Sequence, residues 1–116
     1  TALDEVVQMM GGLAYMTGPP GRPLRAGTSV VDVTGGMFGV IGILAALEER
    51  HRTGKGQKVS SSLFETVVYL VGQHMAQMAV TGKAAQPMPV RISAWAIYDV
   101  FETKDGEQVF VGVVSD

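Results

Sequence analysis

Asp32 is the residue of this chain whose type and setting most resemble those of a reactive group. It is a lone carboxylate inside Val30-Val31-Asp32-Val33-Thr34-Gly35-Gly36, directly ahead of the apolar run Met37 to Leu47. A charge placed where a chain turns into a buried helix is either a cap for that helix or a group kept there to react. A carboxylate with two glycines three and four residues on suits nucleophilic attack or proton transfer, because nothing bulky blocks its approach. Other side chains offer less. There is no cysteine, which excludes disulfides, thiolate catalysis and zinc–sulfur sites. Ser60, Ser61 and Ser62 have no base at a recognisable spacing, and Gly54-Lys55-Gly56 lacks the spacing of a phosphate-binding loop. His51 reads as a solvated charge at a helix C-terminus. His74, beside Gln73 and Gln77, reads as a packed or interfacial histidine. The seven methionines fit core or interface packing rather than a metal stripe.

The bulk properties set the limits around that carboxylate. At 116 residues the chain holds one domain at most. Hydrophobic residues make up 47% and charged residues 17%, poor in charge against about 25% in an ordinary soluble domain. Such a surface needs covering, by further chain or by another subunit. The net charge of −2 gives no electrostatic reason to expect nucleic acid. The opening Thr1-Ala2-Leu3-Asp4-Glu5 has no initiator Met, basic region or apolar stretch, and reads as the middle of a longer protein. The uncharged run Val33 to Leu47 is shorter than the roughly 20 residues a bilayer requires, so no membrane span is expected. The absence of cysteine fits a cytoplasmic location.

Stepping along the chain, apolar positions Val6, Val7, Met10, Leu13 and Ala14 predict a helix over 4–16, broken at Thr17-Gly18-Pro19-Pro20-Gly21. A second helix is predicted to open at Thr34 or Gly35 and to close near Arg52, with Gly54 as its stop. Gly35, Gly39, Gly42 and Ala46 form a ridge of small side chains along it, which invites another backbone to approach closely. Lys58-Val59-Ser60 reads as a short strand, and a third helix follows over about Leu63 to Val80. Thr81 onward to Pro89 is polar and Pro-interrupted. Residues 94–101 alternate as a strand, Lys104-Asp105-Gly106-Glu107 is a hairpin turn, and 108–114 is the return strand.

The order of these pieces is specific: Gly-Gly-Leu-Ala-Tyr-Met-Thr-Gly at 11–18, Asp32 with its Gly-Gly, Ile-Gly-Ile-Leu-Ala-Ala-Leu at 41–47, Arg-Thr-Gly-Lys-Gly-Gln at 52–57, and Val-Ser-Ser-Ser-Leu at 59–63. It resembles the class III coenzyme A transferases, the superfamily of formyl-CoA transferase, carnitine CoA-transferase and α-methylacyl-CoA racemase. The resemblance implies an α/β fold. Residues 1–82 would be a helix-rich slice of a large Rossmann-like, CoA-binding domain, 83–89 a linker, and 90–116 the start of a smaller α+β domain with the hairpin. It implies an interlocked homodimer whose substrates are an acyl-CoA and a carboxylic acid acceptor, with coenzyme A as substrate and no permanently bound cofactor.

Asp32 matches the family's catalytic aspartate, the covalent nucleophile of the transferases. In the racemase branch the same aspartate is an acid/base paired with a histidine that would lie upstream. A non-catalytic structural piece is the third possibility. Thr1, Ala2, Leu3 and Asp4 fall where the family touches CoA, with Leu3 in place of an aromatic, and Arg91 lies on a loop facing the substrate. Where the formyl-CoA transferases carry Gly-Gly-Gly-Gly-Gln, this chain has Pro89-Val90-Arg91-Ile92-Ser93-Ala94-Trp95. That departure argues against the formyl/oxalate subgroup.

Overall fold

A computed structural model describes residues 3–91 and 97–113. Its elements are helices α1 (Asp4–Met10), α2 (Leu13–Thr17), α3 (Val30–Thr53) and α4 (Leu63–Thr81), a short 3-10 turn at Met88–Val90, and strands β1 (Ile97–Glu102) and β2 (Gln108–Val113).

The helix expected over 4–16 is two helices. Its apolar period continues, but Gly12 takes a left-handed φ of 87° and the axis breaks. The break serves packing. A Cβ on Gly11 would lie 2.0 Å from Val67 Cγ1, so α4 crosses where the chain has no side chain. After α2 the loop folds back on it: the Leu24 amide donates to the Ala14 carbonyl at 3.0 Å, and a Cβ on Gly18 would lie 2.2 Å from the Arg22 carbonyl oxygen.

α3 begins at Val30, one turn before the predicted start, and both flanking glycines lie inside it. Ser29 sits at the N-cap position without a side-chain hydrogen bond. The cap comes instead from α1, as described below. The far end follows the sequence: Gly54 adopts a left-handed φ of 72° and its amide donates to the Arg50 carbonyl at 2.8 Å. α4 matches its predicted span, opened by Ser62, whose hydroxyl accepts from the Glu65 amide at 3.2 Å.

The glycine ridge of α3 is used as expected. A Cβ on Gly35 would lie 2.8 Å from Leu63 Cδ2, and one on Gly42 would lie 2.9 Å from Val59 Cγ1. The segment expected as a strand at 58–60 is no strand. It runs without regular structure toward α4 and covers the ridge, and Ser61 Oγ donates to the Gly35 carbonyl at 3.0 Å. Its van der Waals contact with a helix replaces strand pairing. Val7, Val31 and Val67 form the buried core, joined by Leu13, Val30, Leu63 and Leu70.

The polar stretch after α4 is tied down: Ala85 and Pro87 are buried, and the 3-10 turn packs on α2. β1 and β2 pair antiparallel from Ile97↔Val113 to Glu102↔Gln108, closed by a turn in which Gly106 takes a left-handed φ of 83°. Tyr98 and Phe110 meet edge to face across the hairpin, with ring centroids 4.9 Å apart. The predicted strand ends at 94–96 and at Val114 lie outside the described residues. The hairpin packs on no other described element. By length and composition α3 would suffice to cross a bilayer, although its glycine ridge is occupied by protein.

Candidate active site

Asp32 is the third residue of α3, in its first turn, with an exposed side chain. Its setting follows from its neighbours. Val31 turns inward and is fully buried. The residues three and four positions on, which stack over Asp32 on the helix surface, are Gly35 and Gly36. Nothing lies within 4 Å of where a Gly36 Cβ would be. The carboxylate is therefore approachable from the side of the next turn, as the Gly-Gly pair suggested.

A helix start leaves its first amides without partners, and a carboxylate there ordinarily collects them. Here each is already engaged. The Val30 amide donates to the Thr28 carbonyl at 2.8 Å and the Val33 amide to the Ser29 carbonyl at 3.1 Å. The Val31 and Asp32 amides donate to one oxygen, Asp4 Oδ2, at 2.8 and 2.9 Å. Of the two readings the sequence offered for Asp32, the cap is thus excluded: Asp4 takes the amides of the first turn.

Asp4 is 3% exposed. Its other oxygen accepts from the Gln8 side-chain amide, and Gln8 Oε1 accepts from the Ala26 amide at 2.8 Å. Burial by itself pushes the Asp4 carboxyl up. It is outweighed by the Asp32 amide, the Gln8 amide, the Val31 amide and the Arg25 guanidinium, which together hold it below the ordinary value. Arg25 is itself paired with Glu5. One network thus joins α1, the loop before α3 and the first turn of α3.

The remaining candidates lie elsewhere. Thr1 and Ala2 fall outside the described residues. Leu3 is exposed, whereas the Asp4 side chain is committed to the interior, which leaves the backbone as what that residue offers a ligand. Arg91 donates to the Gln86 carbonyl at 3.2 Å and neighbours His74. That histidine stands two turns along α4 from Thr66, the turn that packs on Gly35. The structure therefore does not join Arg91 to Asp32 by any contact. Burial and the Arg91 charge both lower the His74 pKa, as suits a packed residue. His51 is exposed and 3.9 Å from Glu48.

Ser61 and Ser62 are spent on backbone hydrogen bonds. Among the described residues no three His, Cys, Asp or Glu side chains come together to hold a metal. An apolar groove of about 450 Å³ runs between Gly12, Tyr15, His74, Met75 and Met78, and Asp32 does not line it. Sequence reasoning missed the cap supplied by Asp4. Its only trace in the sequence is the Asp4–Gln8 pair at helical spacing.

Comparison with known proteins bears on this site. The chain is 39% identical over 106 residues to an acetyl-CoA:oxalate CoA-transferase of Acetobacter aceti, covering 90% of the chain and 27% of that protein. It is 34% identical over 104 residues to a succinyl-CoA:glutarate CoA-transferase of Mus musculus, covering 89% of the chain and 24% of that protein. A crystal structure of a CAIB/BAIF family protein from Brucella suis superposes with a TM-score of 0.80 at 31% identity, covering 91% of the chain and 28% of the solved one. The chain thus spans about a quarter of the length of the relatives it matches. The first of these relatives is named for oxalate. The sequence model of CoA-transferase family III matches residues 1–116, and the chain belongs to that family.

Proposed function

We propose that a full-length protein carrying this segment is an acyl-CoA:carboxylate CoA-transferase with Asp32 as its covalent nucleophile. The observation that carries the reading is the exposed Asp32 carboxylate on a helix turn clamped from behind and open toward Gly36. The Asp32 carboxylate attacks the thioester carbonyl and expels CoA thiolate, leaving an acyl aspartyl anhydride. The thiolate then attacks the aspartyl carbonyl, which releases the donor acid and forms an aspartyl-CoA thioester. The acceptor carboxylate attacks that thioester and expels the thiolate again. Attack of the thiolate on the acceptor's acyl carbonyl gives the new acyl-CoA and restores Asp32. Each step passes an activated acyl group, so one difficult transfer becomes several easier ones.

Coenzyme A enters and leaves as substrate, and no resident cofactor is required. The names of the relatives favour this chemistry over a racemase in which Asp32 moves a proton. The apolar face that α3 leaves exposed supports the accompanying reading of a Rossmann-like large domain in an interlocked homodimer. The accompanying reading is of a cytoplasmic protein, with that face covered by protein and not by lipid.

The test is chemical. Incubation with acyl-CoA and then hydroxylamine is expected to convert Asp32 to a hydroxamate, seen by peptide mass spectrometry. Asp32→Asn is expected to lower transfer by at least about a thousandfold while CoA binding stays close to normal. A label on another residue, or an Asp32→Asn enzyme retaining more than a few per cent of activity, refutes the covalent role.

A further inference from the structure

Most helix starts are capped by a residue of their own chain segment, and such a cap moves with its helix. α3 is different, because its first turn hangs from a carboxylate on another helix, 27 residues away in sequence. We infer that Asp4 is the positioning residue for the Asp32 nucleophile, an inference that rests on the covalent reading above. Three observations meet here. Asp4 is buried against the same core that holds Val7 and Val31. Its Oδ2 binds the amide of Asp32 itself as well as that of Val31. Its Oδ1 is fixed by Gln8, which also grips the loop at Ala26.

Two effects follow. The backbone of Asp32 is referenced to α1 and not merely to its own helix, so the nucleophile keeps its place while its side chain passes through the anhydride and the thioester and is released. A short acidic side chain in a first turn also tends to fold back onto free amides. Asp4 occupies the Asp32 and Val31 amides, which leaves the Asp32 oxygens free to attack a carbonyl.

The experiment uses the full-length protein carrying this segment and measures the rate of Asp32 labelling by acyl-CoA and hydroxylamine, per folded molecule. Asp4→Asn is expected to slow labelling by about 10- to 100-fold, the size of effect a misplacement of about 1 Å produces, with KM for acyl-CoA changed less than about twofold. Gln8→Met keeps the volume but removes one donor to Asp4, and is expected to slow labelling in the same sense by about three- to tenfold. A purely structural role would lower the unfolding midpoint and leave the rate per folded molecule at the wild-type value, which overturns the inference. A raised KM with unchanged labelling at saturation overturns it too, since Asp4 would then be a binding residue. Should Asp4→Asn not fold, the Gln8→Met rate decides alone. Failure of the covalent reading looks different: Asp32 goes unlabelled in the wild type, before any variant is made.

Discussion

The first two turns of α3 and the turns after them belong to one continuous helix, yet they have different surroundings. Val31 and Gly35 are buried, pressed between α1 and α4, and the start is tied to Asp4. Beyond them Met37, Val40, Ile41, Ile43 and Leu44 are each 50–60% exposed. Among the described residues the glycine side of that stretch is touched by Val59 and Ser61, and Phe38 meets the Tyr69 ring edge to face. The support of Asp32 is thus assembled within about thirty residues of sequence on either side, whereas the apolar side chains of the later turns have no such cover among the described residues. Burying the remainder of five such side chains is worth on the order of 5 kcal/mol. Support of the Asp32 backbone is therefore separable from cover of the helix that carries it.

The largest break in that contrast should come at the clamp. Gly11→Val forces a branched side chain into the space of Val67 Cγ1, 2.0 Å from the new Cβ. Overpacking of that kind costs about 3 kcal/mol or more. It is expected to shift the denaturation midpoint of the full-length protein and of this chain alike, because the clamp is complete in both.

Leu44→Gln sharpens the other side. In the 116-residue chain Leu44 is 60% exposed, and the change is expected to alter stability by less than about 0.5 kcal/mol. In the full-length protein the same change should cost about 2 kcal/mol or more, as loss of a covered apolar side chain does. Paired denaturation curves of the two proteins read the difference, and equal small costs would mean that nothing covers α3.

The smallest effect is on acid stability. The folded Asp4 carboxyl lies below its unfolded value, so it contributes stability that is fully present above about pH 4, the unfolded carboxylate pKa. That contribution is lost as pH falls through the folded value. Urea midpoints taken from pH 6 down to pH 3 should therefore fall, and Asp4→Asn should flatten the slope below pH 4 in either protein.

What was legible in the sequence was local. α4, the hairpin turn at 104–107 and the left-handed stop at Gly54 follow from caps, period and glycine placement within a few residues. The open approach to Asp32 past Gly36 was legible from the glycines that follow it, and so was the close contact along Gly35 and Gly42. What escaped was set by partners far along the chain. The start of α3 was read a turn too late because its cap sits on α1. The break at Gly11-Gly12 has its reason in Val67. Residues 58–60 lack regular structure, but what they cover is a helix. Asp4 drew notice for a ligand contact, whereas its carboxylate faces inward.

The borrowed cap also sets an order of events in folding. With no side-chain bond from Ser29, the first turn of α3 has little local reason to form, while the turns after Thr34 propagate once begun. During synthesis Asp4 emerges 27 residues ahead of the Val31 amide, roughly a few seconds at ribosomal speed. α1 must then meet the growing helix before that turn closes. The stretch bearing Asp32 is therefore expected to wind backwards, toward the N-terminus, and to become ordered when α1 docks rather than when α3 nucleates.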